Sequence, residues 1–165
     1  MSGRRDIMET SFQKGRGMQV HTQFSVYLIN KPGVLASVTG ALAKQKVNIL
    51  ALALMDSGEH GALRLVCDDA DGARKVLGKT HDRWTECEVA VLELDNRPGA
   101  FANVAKRLSD EHVNITYAYC SAGAPGGRTT AVFKVAPEDL KKVGKLLEDR
   151  SEGKKSRPVK RKPGV

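Results

Sequence analysis

The sequence has few cysteines, few aromatic residues and no long apolar run, and each scarcity excludes a class of protein. Cys67, Cys87 and Cys120 are 20 and 33 residues apart. This odd, scattered set fits neither a disulfide framework nor a zinc site, so we expect small apolar residues in or near strands. No stretch approaches the ~20 apolar residues of a membrane-spanning helix. The basic N-terminus lacks the apolar segment of a secretory signal. We therefore expect a cytoplasmic protein without membrane contact.

Signals of catalysis are also missing. The four histidines show no metal-ligand spacing, and no nucleophile motif or paired carboxylates stand out. The glycine-rich segment 122–127 lies between two predicted strands, which favours a hairpin tip over a phosphate-binding loop. We therefore predict no enzyme activity, no metal and no cofactor.

Positive charge is in excess, but the excess lies at the ends of the chain. The net charge is +8, with four basic and two acidic residues in 1–20 and ten basic and three acidic residues in 141–165. Residues 21–140 are nearly neutral, which argues against nucleic acid as a partner of the body of the protein. The segment 151–165 is predicted to be a disordered tail. It could bind RNA, DNA or anionic lipid, but it has no aromatic residue to stack on bases.

An internal repeat organises the rest of the sequence. The segment that begins at Phe24 returns at Ala90 with an offset of 66 residues and no gap. Both copies contain Asn-x-Pro-Gly, at 30–33 and 96–99, followed at the same distance by Val-Asn-Ile. A duplicated module of about 66 residues accounts for this pattern.

Each copy reads as strand–helix–strand–strand–helix–strand. Apolar, β-rich runs alternate with segments of helical spacing such as Val34, Leu35, Val38 and Leu42. This order predicts an α+β fold of two tandem ferredoxin-like βαββαβ modules, with the helices on one face of antiparallel sheets. The predicted division is a mostly flexible N-terminal extension (1–21), a first module (22–87), a second module (88–150) and the basic tail (151–165).

The second copy appears without its final strand, because a polar, basic sequence follows Leu147. Its sheet should therefore have an uncovered edge. We expect either a partner subunit or the segment Met18–Thr22 to cover that edge, and the first possibility favours a homodimer.

The Asn-x-Pro-Gly motif has the chemistry of a binding loop. Glycine allows a ligand to approach the backbone, and the N–H groups that follow it form a helix N-terminus suited to a carboxylate. Asn30 and Asn96 offer both donor and acceptor groups. Asn48 and Asn114 open the second strand of each module, across the module from the loop. A plain turn that leads into a helix remains the alternative interpretation.

The two copies resemble ACT domains, the regulatory modules of amino-acid metabolism. The resemblance rests on NKPGVLASVTGALAKQKVNI and NRPGAFANVAKRLSDEHVNI and covers residues 22–150. It implies sheets paired side by side and an amino acid bound at module interfaces. Leu28 and Leu94 stand where serine-binding members have histidine, which favours a more apolar amino acid. The ligand contacts that the resemblance implies are Asn30, Gly33, Val34, Leu35, Asn48, Asn96, Gly99, Ala100, Phe101 and Asn114.

The chain also resembles small stand-alone proteins made of two ACT modules without a catalytic domain. The resemblance therefore implies a non-catalytic regulatory protein that binds a free amino acid. The alternative is a subunit that acts by contacting a partner enzyme, as the regulatory subunit of acetolactate synthase does. A third possibility is a regulator that binds nucleic acid through its tails.

Overall fold

The computed structural model describes residues 17–57, 59–80, 83–121 and 127–148, and in these ranges it confirms the predicted order of elements. The N-terminal residues, the tip of the second hairpin and the basic tail lie outside the described residues, so their predicted flexibility stays a prediction. The elements are β1 (Gln19–Ile29), α1 (Val34–Lys44), β2 (Ile49–Ser57), β3 (His60–Cys67), α2 (Ala70–Thr80), β4 (Trp84–Asp95), α3 (Ala100–Asp110), β5 (Tyr117–Ser121), β6 (Arg128–Lys134), a 3-10 turn (Pro137–Asp139) and α4 (Leu140–Glu148).

The strands form one antiparallel sheet in the order β2-β3-β1-β4-β6-β5, rather than a separate sheet for each module. The long strand β4 joins the modules. Its residues Trp84–Val91 pair with β1, and Ala90–Asp95 pair with β6. The predicted module boundary at residues 87 and 88 thus falls inside one continuous strand.

The edge left by the missing final strand is covered from within the chain. Residues Gln19–Thr22, at the start of β1, pair with Val91–Glu88 of β4, beside the residues of β4 that pair with β6. Of the two alternatives expected from the sequence, the structure therefore shows the segment Met18–Thr22 at this edge. The missing strand therefore does not by itself require a partner subunit.

Two apolar cores lie between the sheet and the helices. Successive side chains of a strand point to opposite faces, so residues two apart share a face. In β4, Trp84 packs on the core of the first module, and Ala90 and Leu92 belong to the core of the second. These residues share one face of β4, so all four helices of the described chain lie on the same side of the sheet, as predicted.

The opposite face of the sheet is also packed. Ala51, Val66, Val89, Val91 and Val132 form a third buried cluster there. Strands β2 and β5 stand at the two ends of the strand order, yet they contact each other. The sheet is therefore strongly curled, and the middle of its second face is buried, whereas Tyr27 and Ile29 at the end of β1 remain exposed on that face.

Each Asn-x-Pro-Gly motif ends in a left-handed glycine. Gly33 has φ 87° and Gly99 has φ 83°, and each occupies the N-cap of the following helix. A side chain rarely adopts this conformation, so the backbone alone requires glycine here. A Cβ at either position would meet nothing within 4 Å, which leaves the space above the glycine open.

The cost of a side chain at Gly33 can be measured against a matched glycine. We expect Gly33→Ala to destabilise the protein by about 1–2 kcal/mol, because alanine is strained at positive φ. Gly40, inside α1, also has open space around a Cβ but no positive φ. Gly40→Ala should stabilise the protein by about 0.5–1 kcal/mol. Denaturant unfolding of both variants measures these changes. If the two substitutions change the free energy of unfolding in the same direction, the prediction is wrong.

The strand that completes the second module can be tested by truncation. Deleting residues 1–22 removes the pairing with Glu88–Val91. We expect the free energy of unfolding to fall by about 2–4 kcal/mol as several ladder hydrogen bonds of about 1 kcal/mol each are lost, and the freed edge to promote self-association. A control deletion of residues 1–16 leaves every one of these pairs in place. Calorimetry and light scattering compare the two, and equal melting temperatures would show that the segment is dispensable.

Candidate ligand site

A pocket of about 240 Å³ lies where β1 ends and α1 begins. Three of the predicted site residues of the first module, Asn30, Val34 and Leu35, line it. The structure adds walls from the end of β1 and from the β2–β3 hairpin. These further lining residues are Leu28, Ile29, Lys31, Leu54, Met55 and Gly61.

Backbone hydrogen bonds hold the loop at the mouth of this pocket. The Asn30 N–H donates to the carbonyl oxygen of Glu59 at 2.9 Å, which ties the loop to the β2–β3 hairpin. The Lys31 N–H donates to the Ile29 oxygen at 2.9 Å, and the Ser37 N–H donates to the Gly33 oxygen at 2.9 Å. The turn is therefore fixed before any ligand arrives.

The pocket combines an anion-binding end with apolar walls. Within the described residues, no side chain caps α1, and its first turn carries no acidic residue. The N-terminus of a helix carries partial positive charge and unsatisfied N–H groups, which favour a carboxylate. Asn30 and Lys31 supply polar lining, while Leu28, Leu35 and Leu54 supply apolar surface. This arrangement can hold a small molecule with a carboxylate at one end and an apolar group at the other.

The equivalent loop of the second module has the same backbone but different surroundings. The Asn96 N–H donates to the Gly127 oxygen at 2.9 Å, as Asn30 does to Glu59. Ala100 is buried, and Phe101 stacks on Phe133 with ring centroids 5.0 Å apart.

Charge pairs also stand beside the second loop. Arg128 forms ion pairs with Glu93 at 3.1 Å and Asp95 at 3.6 Å, and Arg97 lies 3.6 Å from Asp95. The first loop instead borders apolar side chains of β2. The two copies of the motif are thus not equivalent as binding sites.

The predicted asparagines Asn48 and Asn114 do not join the loops of their own modules. Asn48 follows the C-terminal end of α1, whose 11 residues separate it from Gly33, a rise of about 16 Å. Its backbone N–H donates to Asp68 Oδ1 at 2.9 Å, and the Asp68 N–H donates back to the Asn48 oxygen at 3.1 Å. Asn114 lines a shallow hollow at the corresponding end of α3. A single site that uses Asn30 and Asn48 together therefore needs a second module.

The pocket wall formed by the β2–β3 hairpin was not among the residues predicted from the sequence. Leu54 and Met55 lie on β2 and Gly61 on β3, distant in sequence from the motif. A Cβ on Gly61 would lie 3.4 Å from Leu54 Cδ1 and from the Met55 oxygen, so glycine lets the two strands meet closely. The repeat aligns Gly61 with Gly127, but Thr129 lies opposite Leu94 as Gly61 lies opposite Leu28, so the repeat does not mark this wall.

The cysteines lie in strands, as predicted, and all three are free thiols. Cys67 is buried, and burial together with the charges of Asp68 and Asp69 raises the pKa of its thiol to about 12. It therefore stays protonated and unreactive at neutral pH. Cys120 differs from the expectation of a packed apolar residue because its side chain is exposed.

The described residues hold neither a metal-ligand cluster nor a membrane-spanning helix. In those ranges, no three histidine, cysteine or acidic side chains are grouped as metal ligands would be. Over the same part of the chain, no helix has the length and apolar character needed to cross a membrane.

Comparison with known proteins gives the family. A crystal structure of a Bacteroides thetaiotaomicron protein is 33% identical, with a TM-score of 0.70 over 81% of this chain and 90% of that chain. The ligand-free regulatory subunit of aspartate kinase from Thermus thermophilus is 16% identical, with a TM-score of 0.63 over 82% and 97%. Aspartate kinase from Synechocystis is 17% identical, with a TM-score of 0.60 over 81% and 26%. No curated protein matches the sequence. The family model of the ACT domain pair matches residues 18–149, and the chain therefore belongs to the ACT domain family.

Proposed function

We propose that this ACT domain pair is a non-catalytic, cytoplasmic regulatory protein that binds a free amino acid with an apolar side chain. The observation that carries the proposal is the pocket at the first Asn-Pro-Gly loop, where the uncapped N-terminus of α1 meets apolar walls. An amino acid offers the complementary groups, a carboxylate for the helix end and a side chain for the walls.

The apolar walls of the pocket favour a ligand amino acid with an apolar side chain. Leu28 is 5% exposed and lines the pocket, so the position two residues before Asn30 presents hydrocarbon to a ligand. A hydroxyl placed against it would lose its hydrogen bonds to water without gaining a partner there. An aliphatic amino acid buries its side chain at Leu28, Leu35 and Leu54 without that cost.

A homodimer formed through β2 accounts for the predicted role of Asn48. Strand β2 is an outer strand of the sheet, and it exposes Leu52 (39%), Leu54 (49%) and Met55 (40%). A long edge strand with large exposed apolar side chains is suited to pairing with another chain. Antiparallel pairing of two copies of β2 places the start of one strand beside the end of the other. The partner's Asn48 then lies next to the end of β2, where Leu54 and Met55 line the pocket.

A second candidate function is contact with a partner enzyme of amino-acid biosynthesis. Its support is the likeness in fold to the regulatory subunit of aspartate kinase, which adds aspartate kinase to acetolactate synthase as a candidate enzyme. The same exposed edge at β2 would serve this contact. Co-purification of an enzyme, with no amino acid bound by the isolated chain, favours this function over the first.

Ligand binding can be assigned to one loop by variants at matched positions. In a calorimetric titration against the standard amino acids, one aliphatic amino acid should bind. At 100 times its dissociation constant it should stabilise the fold by about 2.7 kcal/mol. We expect Asn30→Ala to weaken binding about tenfold or more, because a hydrogen bond that orients the ligand contributes about 1–2 kcal/mol. Asn96→Ala, at the same place in the second module, should leave affinity unchanged.

Melting temperatures of both variants without ligand separate lost binding from lost stability. If Asn96→Ala weakens binding and Asn30→Ala does not, the site lies in the second module. If neither variant changes affinity, the assignment to the Asn-Pro-Gly loops is wrong.

The dimer can be tested at the outer strands. We expect Leu52→Lys to give a monomer, because a charge on β2 opposes its pairing with a second copy. Cys120→Lys, on the outer strand β5, should leave the dimer intact. Light scattering coupled to gel filtration measures both. Asn48→Ala should weaken binding of the amino acid while the protein stays dimeric. If the wild-type protein is a monomer, the proposed interface is wrong.

A further inference from the structure

A second cavity, of about 370 Å³, lies in the groove between α1 and α2. Its α1 side is formed by Ala41, Lys44 and Gln45, and its α2 side includes Gly72, Lys75 and Lys79. This groove lies at the opposite end of α1 from the Asn-Pro-Gly loop. Three lysines therefore border one open space that the proposed amino-acid site does not use.

No acidic side chain forms an ion pair with these lysines in the described part of the chain. None of Lys44, Lys75 and Lys79 belongs to the ion pairs formed there. Asp69 also borders the groove, where its Oδ1 accepts the Gly72 N–H at 2.9 Å, so the groove has one carboxylate against three lysines. Lysine in the last turn of a helix is ordinary, since it complements the helix dipole, and that accounts for Lys44 and Lys79. Lys75 lies earlier in α2 and has no such explanation.

In the second module, a larger side chain fills the corresponding groove, and the charged residues around it form ion pairs. Arg107 replaces Ala41 and donates a hydrogen bond to the Leu146 oxygen across the groove. Asp110 and Glu111 replace Lys44 and Gln45, with Asp110 2.8 Å from Lys106 and Glu111 3.6 Å from Lys142. The buried residues of the two helices correspond as Ala73 with Leu140 and Val76 with Val143, so Lys142 takes the position of Lys75 and Leu146 that of Lys79. The second module therefore pairs its equivalent of Lys75 with Glu111, whereas the first module carries a further lysine and lacks bulk and negative charge in its α1 wall.

We propose that the groove between α1 and α2 binds a small phosphate-bearing anion. Lysine is a compact, mobile point charge that commonly binds phosphate, and three lysines around one space suit a group with two or more negative charges. The volume falls within the range of small-molecule pockets, so a phosphorylated metabolite fits better than an extended polymer. Ala41 leaves room for the ligand, whereas the Asp69 carboxylate and Val47 fill the space above Gly72.

Pyrophosphate is the probe that tests the proposal in the full chain. In amide NMR spectra at constant ionic strength, pyrophosphate should cause saturable shifts at Gln45, Gly72 and Lys75. We expect the double variant Lys75→Gln/Lys79→Gln to weaken binding about tenfold or more, because it removes two charge-assisted contacts. The control double variant Lys141→Gln/Lys145→Gln removes the same amount of charge from α4 of the second module and should bind within about twofold of wild type.

A third variant tests the α1 wall. Lys44→Asp gives the groove the acidic residue of the second module and should also abolish the shifts at Gln45 and Gly72. All these lysines are exposed, so melting temperatures should stay near that of wild type. Equal affinity in the two double variants would overturn the proposal, because binding would then follow net charge. Absence of saturable shifts in wild type at millimolar pyrophosphate, or shifts confined to residues outside the groove, would overturn it as well.

Discussion

The buried amide of Gln23 holds the two halves of the sheet against each other. Its side chain is fully buried on β1, where Nε2 donates to the Tyr117 hydroxyl at 2.6 Å and Oε1 accepts the Tyr119 hydroxyl at 3.1 Å. Both tyrosines lie on β5, three strands away in the sheet. Arg64 lies over the ring of Tyr117, 3.4 Å from its centroid. Burial raises the pKa of each tyrosine, so both hydroxyls remain neutral. A buried amide left without partners costs about 1–3 kcal/mol, so the curl of the sheet and this network require each other.

Shared strands make the two modules one body and fix where their loops can lie. Strands β1 and β4 are antiparallel neighbours that each serve both modules. The loop after β1 and the loop after β4 therefore open at opposite ends of the sheet. Strand β2 runs parallel to β1, so Asn48 lies at the end where the second loop opens. Three strand spacings, about 14 Å, still separate Asn48 from the loop after β4 across the sheet. One chain alone thus places its asparagines and loops apart, and the proposed dimer brings Asn30 and Asn48 together.

Local elements could be predicted from the sequence because local periodicity specifies them. Val38 and Leu42 recur at helical spacing and are buried in α1, and the repeat gave each element a second, independent copy. The curl of the sheet could not be predicted in the same way. Gln23 and Tyr117 meet although 94 residues separate them, and nothing in either segment alone marks a buried polar contact. The single sheet agrees with the side-by-side pairing that the resemblance implies, because the one strand β4 serves both modules. The pocket wall of Leu54 and Met55 depends on the same long-range packing.

The repeated residues and the residues that differ between the copies carry different information. Gly33 and Gly99 are both left-handed, so the fold requires glycine in each copy whether or not a ligand binds. The shared motif is therefore weak support for two equal sites. The differences between equivalent positions lie in the surfaces that a ligand would touch. At the loop, Leu35 of the first module corresponds to Phe101 of the second, and on the outer strand Leu54 corresponds to Cys120. At the C-terminal end of the first helix of each module, Lys44 likewise corresponds to Asp110. Duplication preserved the backbone that forms a site, and substitution in the walls left the first module with the apolar pocket and the open lysine groove.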